Sequence, residues 1–311
     1  MSYKVIVIVG PTAVGKTDLS IELAQKFNAE IISGDSMQVY RGLDIGTAKA
    51  TSSERQDVIH HLIDVREVSE NFTVADFVHD AKEQIKKISS KGKLPIIVGG
   101  TGFYLQALLD GYQLGGSQIS SNSKIREKWQ EFAVKNGKEA LWKKLNDIDR
   151  KAADKIPVNN SRRIIRALEV FESTGSKFSE QANQFDIKMD AMIIGLNTDR
   201  RVLYERINRR VDQMMEKGLL NEAVWLYQKG GLKLQAGRGI GYKELFGYIE
   251  KKESLANGVI EIKKNSRHYA KRQLTWFRNK MNVKWYDLIA DDKAVEKIKM
   301  DVCSWIEGDK K

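Results

Sequence analysis

The segment GPTAVGKT, from Gly10 to Thr17, constrains the fold of this chain more than any other part of its sequence. It follows an apolar run that ends at Val9, and an amphipathic helical pattern begins at Thr17. A G-x-x-x-x-G-K-[ST] motif between a strand and a helix forms a P-loop, whose backbone N–H groups and lysine surround phosphates. We therefore expect a diphosphate or polyphosphate to be bound by Gly10, Pro11, Thr12, Ala13, Val14, Gly15, Lys16 and Thr17, and the Thr17 hydroxyl to reach Mg²⁺.

Four short apolar runs rich in Val and Ile have the length and composition of buried parallel strands. They are Lys4 to Val9, Ala29 to Ser33, Leu94 to Val98 and Ala191 to Leu196. Amphipathic helical patterns lie between them at Thr17 to Phe27 and at Val74 to Ser89. The sequence thus predicts an α/β fold, a P-loop NTPase-like parallel sheet flanked by helices, with ligands at the carboxyl ends of the strands.

A helical insertion is expected between the third and fourth apolar runs. This stretch has helical patterns but no convincing strand, and the chain after Leu196 is helical and basic until a last strand at Val283 to Asp287. We predict a first part of the P-loop core at 1–113, an all-helical insertion domain at 114–189, and a second part of the core with basic helices at 190–311. The predicted helices of the insertion are Ser123 to Asn136, Glu139 to Leu145 and Arg162 to Ser173.

The positive charge is confined to one stretch of the chain. The formal net charge is +11, and residues 200–280 contain 19 Lys and Arg against 8 Asp and Glu, so the remainder is neutral. A localised basic excess is typical of a surface that binds an extended polyanion such as nucleic acid. The alternative, solvated faces of ordinary helices, stays open from charge alone.

Cysteine content and hydrophobicity exclude several classes of protein. Cys303 is the only cysteine, which excludes a disulfide framework and a cysteine-based zinc module. The apolar run before Gly10 is too short to span a bilayer, and its flanks do not form a secretory signal. We expect a cytoplasmic protein with no membrane contact, and a monomer, because no coiled coil or repeated apolar face is present.

The acidic residue expected at the strand ends is Asp35, in the sequence IISGDSMQVY. A P-loop phosphotransferase needs an aspartate after an apolar strand to hold magnesium, but the third strand is followed by Gly99, Gly100, Thr101 and Gly102. Hydroxyl, amide and phenol groups surround Asp35 in the sequence, which suits a general base as well as a metal ligand. A solvent-exposed turn aspartate is the alternative.

Eight segments in order resemble one family, the tRNA dimethylallyltransferases, also called tRNA isopentenyltransferases. The matching segments span nearly the whole chain and are GPTAVGKT, SGDSMQVYRGLDIGTAK, HHLID, IIVGGTGFYLQALLDG, RRIIRALEVFESTG, RVLYERINRRVDQM, GIGYKE and RHYAKRQLTWFRN. The single cysteine excludes the C-terminal zinc finger of eukaryotic members, so the resemblance is to the bacterial type. Two positions depart from the family pattern, Ala50 where proline is usual and Asn160 where aspartate is frequent.

The resemblance implies transfer of a dimethylallyl group from dimethylallyl diphosphate to N6 of adenosine 37 in a tRNA anticodon loop. The P-loop would hold the diphosphate leaving group with Mg²⁺ as cofactor, although its motif is that of ATP-binding proteins. Asp35 would be the base, Thr101 would contact the reacting nucleotide, and Arg206, favoured over Arg209 and Arg210, would stabilise the diphosphate.

The resemblance also implies an extended contact with the tRNA anticodon stem-loop. The flipped adenosine would lie against Asp35 to Gln38, and Trp276 and Phe277 could offer stacking surfaces, although residues of this type are more often part of a core. The expected tRNA-binding residues are Asp35, Ser36, Met37, Gln38, Thr101, Ser123, Asn159, Asn160, Ser161, Arg162, Arg163, Arg238, Gly239, Ile240, Gly241, Tyr242, Lys243, Lys271, Arg272, Trp276 and Arg278.

Three other functions remain possible from the sequence. A P-loop small-molecule kinase would not need the basic stretch after residue 200, and an adenylate isopentenyltransferase acting on free AMP or ADP would not need the tRNA-binding helices. An RNA-binding module with a vestigial P-loop is disfavoured by intact Lys16, Thr17 and Asp35.

His60 and His61 are expected to pack in a loop or helix, since no cysteine or further histidine lies at metal-ligand spacing.

Overall fold

The computed structural model, which describes residues 2–112, 123–180 and 187–308, contains six parallel strands in one sheet. They are β1 (Ser2–Val9), β2 (Ala29–Ser33), β3 (His60–His61), β4 (Leu94–Val98), β5 (Lys188–Leu196) and β6 (Lys284–Tyr286). Their spatial order is β3-β2-β4-β1-β5-β6, so β1 is central and pairs with β4 and β5. The predicted α/β fold with a parallel sheet is confirmed.

Helices alternate with most of the strands along the chain. They are α1 (Lys16–Lys26), α2 (Val74–Ser90), α3 (Gly102–Leu109), α4 (Ser123–Ile148), α5 (Arg150–Ala153), α6 (Ser161–Thr174), α7 (Arg200–Glu216), α8 (Leu219–Lys229), α9 (Lys243–Ile249), α10 (Leu255–Lys280) and α11 (Ala294–Glu307). The core that supports the P-loop contains Ile6 and Ile8 of β1, Leu19 of α1, Leu196 of β5 and Ile207 of α7. No helix among the described residues is long and apolar enough to cross a membrane.

Strands β1 and β5 are longer than their apolar runs predict. They pair in parallel from Ser2 opposite Lys188 to Val9 opposite Gly195, so backbone hydrogen bonds extend each strand into polar sequence. The last predicted strand, Val283 to Asp287, is confirmed as β6, which pairs with β5.

The chain divides into two compact units, Met1–Leu109 with Ile187–Lys311, and Asp110–Asp186. The second unit consists of α4, α5 and α6 around a core that includes Trp129, Leu141 and Leu168. Helix α4 is broken at Gly137, which has a non-helical φ of 83°. This glycine lies between the two helices that the sequence predicts there. The turn-prone stretch Gly115-Gly116-Ser117, on which the boundary at 114 depended, lies outside the described residues, and the boundaries at 114 and 189 stay a prediction.

The expectation that His60 and His61 pack in a loop or helix is wrong. They form the edge strand β3, where His60 pairs with Ile31 and His61 with Ile32. Two polar residues give no apolar run, so only the neighbouring strand reveals the pairing. His61 Nε2 lies 2.7 Å from Oε2 of Glu30, which is 1% exposed.

Glu30 is a buried carboxylate with three cationic or hydrogen-bonding neighbours. Its Oε1 lies 3.0 Å from Nζ of Lys93 and 3.3 Å from Nζ of Lys91. Burial alone would raise the pKa of Glu30, but the hydrogen bonds from His61, Lys93 and Lys91 outweigh burial and lower the pKa to about 2. Its charge therefore stabilises the folded state.

We predict that Glu30→Gln lowers the free energy of unfolding by about 3 kcal/mol at pH 7. Because the pKa of Glu30 is lower in the folded than in the unfolded chain, this stabilisation is present above pH 4.5 and is lost as the pH falls towards about 2. The difference in the free energy of unfolding between wild type and Glu30→Gln, measured by chemical denaturation, should be smaller by about 1 kcal/mol at pH 4 than at pH 7.

The matched control is Glu83→Gln, which removes an exposed carboxylate 3.9 Å from Lys86 on α2. Exposed pairs of this kind contribute about 0–1 kcal/mol, so the control should differ little from the wild type. A Glu30 variant as stable as this control would contradict the prediction.

Candidate active site

The P-loop lies where β1 ends and α1 begins, at the carboxyl edge of the sheet. Gly10 has a φ of 143°, and a Cβ atom there would lie 2.5 Å from the carbonyl oxygen of Leu196, so both the backbone angle and the space require glycine. Gly15 precedes α1 in the left-handed conformation and provides no side-chain cap. The first N–H groups of α1 are therefore available to an anion, as at other helix N-termini.

Lys16 folds back onto the P-loop. Its Nζ donates to the carbonyl oxygens of Gly10 and Pro11 at 3.0 and 2.6 Å. Burial and the positive charge of Arg210 together lower the pKa of Lys16 to about 7, against the opposing effect of the negative charge of Asp35. A phosphate beside this ammonium would raise its pKa again, so the geometry is compatible with the predicted anion site.

Two arginines of α7 contact the P-loop at different points. Arg206 is exposed, and its Nε donates to the carbonyl oxygen of Ala13 at 2.8 Å. It lines a cavity of about 280 Å³ with Asp18 and Leu288. Arg210 is less exposed, and its Nη1 lies 3.4 Å from Oγ1 of Thr12. Sequence reasoning favoured Arg206, but Arg210 is the arginine that interacts with Lys16.

Burial lowers the pKa of Arg210, while the negative charge of Asp35 raises it. Arg210 and Lys16 are thus two cations that share one nearby carboxylate. Such a group of like charges is stabilised when a multivalent anion binds between or beside them. The arrangement favours a diphosphate as ligand.

Asp35 is half-buried and held by its own loop, so it is not an exposed turn aspartate. Its Oδ1 accepts from the Met37 N–H at 2.8 Å, and its own N–H donates to Oγ of Ser33 at 3.4 Å. The Ser36 N–H donates to Oγ1 of Thr101 at 3.2 Å. The ends of β2 and β4 therefore meet as expected, with Asp35 and Thr101 on adjoining turns.

Helix α10 adds two side chains to this site that sequence reasoning did not select. The Tyr269 hydroxyl lies 3.5 Å from the carbonyl oxygen of Gly100, and Gln273 contacts both the P-loop and Gly100. The sequence does contain a signal for Gln273, because its helical spacing places it on the same face as the apolar residues Ala270 and Phe277, which are buried. A polar residue on the apolar face of a helix needs a buried partner.

Glu222 on α8 anchors the loop that follows Asp35. Its carboxylate accepts the N–H groups of Asp44, Ile45 and Gly46 at 2.8 to 2.9 Å, and the Tyr242 hydroxyl at 2.6 Å. Four donors converge on one carboxylate, which fixes this loop against α8. Sequence reasoning missed Glu222, because nothing local marks a helix glutamate whose partners lie far away in the chain.

Segment 238–243 lies beside the Asp35 loop. A Cβ atom on Gly239 would lie 2.6 Å from Cε of Met37, so the end of the Met37 side chain packs against the backbone of Gly239. Arg238 and Lys243 are exposed, and Ile240 is partly exposed. Tyr242 is buried as a whole residue, so the structure exposes neither its side chain nor its backbone for the expected contact with RNA. Gly241 N–H is held by Glu244.

The basic face of α10 is confirmed as exposed at Lys271, Arg272 and Arg278. Trp276 is partly buried, with its indole edge-on to the ring of Phe103 at a centroid distance of 6.1 Å. Phe277, by contrast, is completely buried, so the idea that its ring offers a stacking surface is wrong. It lies on the core side of the amphipathic helix.

The remaining predicted tRNA-binding residues belong to the insertion unit. Asn160 caps α6 by accepting the Arg163 N–H, so the expected aspartate is replaced by another good N-cap residue. Asn159, Arg162 and Arg163 are exposed at this helix start, and Ser161 is partly exposed. Ser123 begins α4, but its side chain lies outside the described part of the chain.

A family model described as IPP transferase matches residues 38–280 of the chain. A tRNA dimethylallyltransferase of Ligilactobacillus salivarius is 56% identical over 98% of this chain and 100% of its own length. A protein of the same name from Enterococcus faecalis is 52% identical over 98% of each chain.

Solved structures similar to this chain are also tRNA isopentenyltransferases or dimethylallyltransferases. The tRNA isopentenylpyrophosphate transferase of Bacillus halodurans aligns with a TM-score of 0.74 at 47% identity, covering 99% of this chain and 98% of its own. A eukaryotic dimethylallyltransferase, described as acting on tRNA, aligns with a TM-score of 0.83 at 32% identity over 99% of this chain and 80% of its own. Both similarities extend across the P-loop and α10.

We predict that binding of inorganic diphosphate takes up a proton at Lys16. Since the pKa of Lys16 is lowered to about 7 before binding, the lysine is largely neutral at pH 8 and must gain a proton beside the anion. Calorimetry in two buffers of different ionisation enthalpy should show up to about one extra proton taken up at pH 8 and little at pH 6.

The control is Lys16→Arg, whose side chain stays charged throughout this range. The same ligand is used with both proteins, so its own titration cancels. Equal proton uptake by the two proteins at pH 8 would contradict the prediction.

Proposed function

The chain belongs to the IPP transferase family, the tRNA dimethylallyltransferases, and from this premise we propose that it transfers a dimethylallyl group from dimethylallyl diphosphate to N6 of adenosine 37 in tRNA. The protein is a transferase that modifies tRNA. The family does not favour the two enzymatic alternatives, a small-molecule kinase or an adenylate isopentenyltransferase.

The observation that carries this proposal is the arrangement of Asp35 near two cations, Lys16 of the P-loop and Arg210 of α7. Asp35 interacts electrostatically with Lys16 and Arg210, while its neighbour Ser36 bonds to Thr101. An anion site and a proton acceptor thus lie at adjoining strand ends. Transfer of an allyl group requires both groups, one for the leaving diphosphate and one for the attacking amine.

In the proposed reaction, N6 of adenosine attacks C1 of the dimethylallyl group. The C1–O bond to the diphosphate breaks, its electron pair stays on the diphosphate oxygen, and the N6 proton passes to a carboxylate oxygen of Asp35. Lys16 and the N–H groups of the P-loop bind the departing charge. Arg206 keeps its predicted role at the outer side of the loop, and we add Arg210 at Thr12.

Mg²⁺ is the proposed cofactor, and it would neutralise diphosphate charge. The described residues contain no group of three or more His, Cys, Asp or Glu side chains placed to hold a metal ion. A single hydroxyl ligand, that of Thr17, would be compatible with Mg²⁺, which is commonly held by substrate phosphates and water with few protein ligands. Thr17, at the first turn of α1, is the residue proposed to hold it.

For tRNA we propose binding residues on each of the two units. In the first unit they are Asp35 to Gln38, Thr101, the segment Arg238 to Lys243 and the exposed basic residues of α10. In the insertion unit they are Ser123 and the start of α6, Asn159 to Arg163. An insertion domain at 114–189 would then contribute to tRNA binding, and we propose a cytoplasmic monomer.

We predict that Asp35→Asn lowers the transfer rate by about 10²–10⁴-fold. The asparagine oxygen can still accept the Met37 N–H, but it cannot take the amine proton. The assay follows radiolabel from dimethylallyl diphosphate into an unmodified tRNA with Mg²⁺, and the affinity for tRNA should stay within about threefold of wild type.

Asp292→Ala, which changes an exposed aspartate near α11, serves as the control and should leave the rate unchanged. A large loss of tRNA affinity with a normal saturated rate would assign Asp35 to RNA binding. Wild-type label found on AMP but not on tRNA, or consumption of ATP, would refute the proposed function.

We predict that Lys271→Ala/Arg272→Ala weakens tRNA binding at low salt and flattens its dependence on salt concentration. The slope of log K against log salt is negative, and each lost phosphate contact should reduce its magnitude by about 1. The comparison is Lys86→Ala/Lys87→Ala, two exposed neighbouring lysines on α2. An unchanged slope for the α10 double variant would remove these residues from the interface.

A further inference from the structure

Gln273 is a buried carboxamide that joins two loops of the active site. It is 5% exposed, and its Oε1 accepts the Thr12 N–H at 3.2 Å. Its Nε2 donates to the carbonyl oxygen of Gly100 at 2.9 Å. A carboxamide has an acceptor on one side and donors on the other, so one side chain satisfies a loop N–H and a loop carbonyl together.

The two loops bind different substrates in the proposed reaction. Thr12 belongs to the diphosphate-binding loop, whereas Gly100 directly precedes Thr101. The Thr101 hydroxyl holds the Ser36 N–H, next to Asp35. The bonds through Gln273 therefore form a continuous connection between the diphosphate side and the acceptor side of the site.

The fit around Gln273 is tight. A Cβ atom on Gly100 would lie 2.1 Å from Nε2 of Gln273, so the carboxamide occupies the space that a side chain would take there. One turn earlier on α10, the Tyr269 hydroxyl lies 3.5 Å from the same Gly100 oxygen. Burial raises the pKa of Tyr269 to about 12, so the hydroxyl stays a neutral donor. Two residues of α10 thus hold one carbonyl.

We propose that Gln273 is a positioning residue that fixes the distance between the diphosphate-binding loop and the acceptor site. The inference rests on the proposed function, since it concerns the approach of C1 of the allyl group to N6 of adenosine. Each substrate can bind its own loop without Gln273. The rate of bond formation, however, depends on their relative placement, and a displacement of about 1 Å can cost about 100-fold.

The test is Gln273→Met, which keeps the length of the side chain but removes both hydrogen bonds. Single-turnover transfer from labelled dimethylallyl diphosphate to tRNA is measured with both substrates saturating. We expect the rate constant to fall by about 10- to 100-fold. The fraction of enzyme that reacts, and the dissociation constants of both substrates, should stay within about threefold, since positioning affects the reacting complex.

The matched control is Gln235→Met. The Gln235 carboxamide also bridges a backbone N–H and a carbonyl, both of Phe72, at 3.1 and 2.7 Å. Its loss should lower the melting temperature similarly and leave the single-turnover rate constant at the wild-type value. A merely structural role of Gln273 would likewise reduce stability or the reacting fraction without changing the rate constant, and that result would overturn the proposal.

Gly100→Ala provides an independent test, which decides if Gln273→Met does not fold. The added methyl group displaces the carboxamide, so a similar loss of rate constant is expected. An unchanged rate constant in the variant that folds would overturn the proposal. Failure of the wild type to label tRNA would instead refute the proposed function, so the two failures are distinguishable.

Discussion

The central position of strand β1 is the constraint on which the rest of the structure depends. Because β1 pairs with β4 on one side and β5 on the other, its end brings Gly10 against the backbone of Leu196 and next to the turn after β4. Strand β2 pairs with β4, so Asp35 reaches the same edge. Parallel pairing alone thus gathers the P-loop, Thr101 and Asp35 within a single site.

Two cationic side chains whose pKa is lowered by burial lie at this edge of the sheet. Lys16 and Arg210 each have a pKa lowered by burial, and Asp35 is the carboxylate that opposes this in both cases. The fold holds both side chains in place before a ligand binds, so they do not need to move when negative charge develops on a leaving group. In the proposed reaction, the same charges would let the P-loop bind the diphosphate that departs during carbon-to-nitrogen transfer.

Two polar side chains with several partners hold the loops around the site, the partly buried Glu222 and the buried Gln273. Glu222 holds three loop N–H groups and the Tyr242 hydroxyl, and Gln273 holds Thr12 and Gly100. Glu222 comes from α8, and Gln273 comes from α10, which also bears the exposed residues Lys271, Arg272 and Arg278. In the proposed function, α10 therefore carries residues for RNA binding as well as a residue that holds the loops around the diphosphate.

The sequence by itself determined the P-loop, the four apolar strands, the break at Gly137 and the choice of Asp35, because each depends on local spacing or on a motif. Only the tertiary structure decided that His60 and His61 form a strand, that Phe277 and Tyr242 are buried, and that Arg210 lies beside Lys16. It also revealed Glu222 and Gln273. Their partners are distant in the chain, and no local pattern records which distant backbone groups a buried polar side chain will meet.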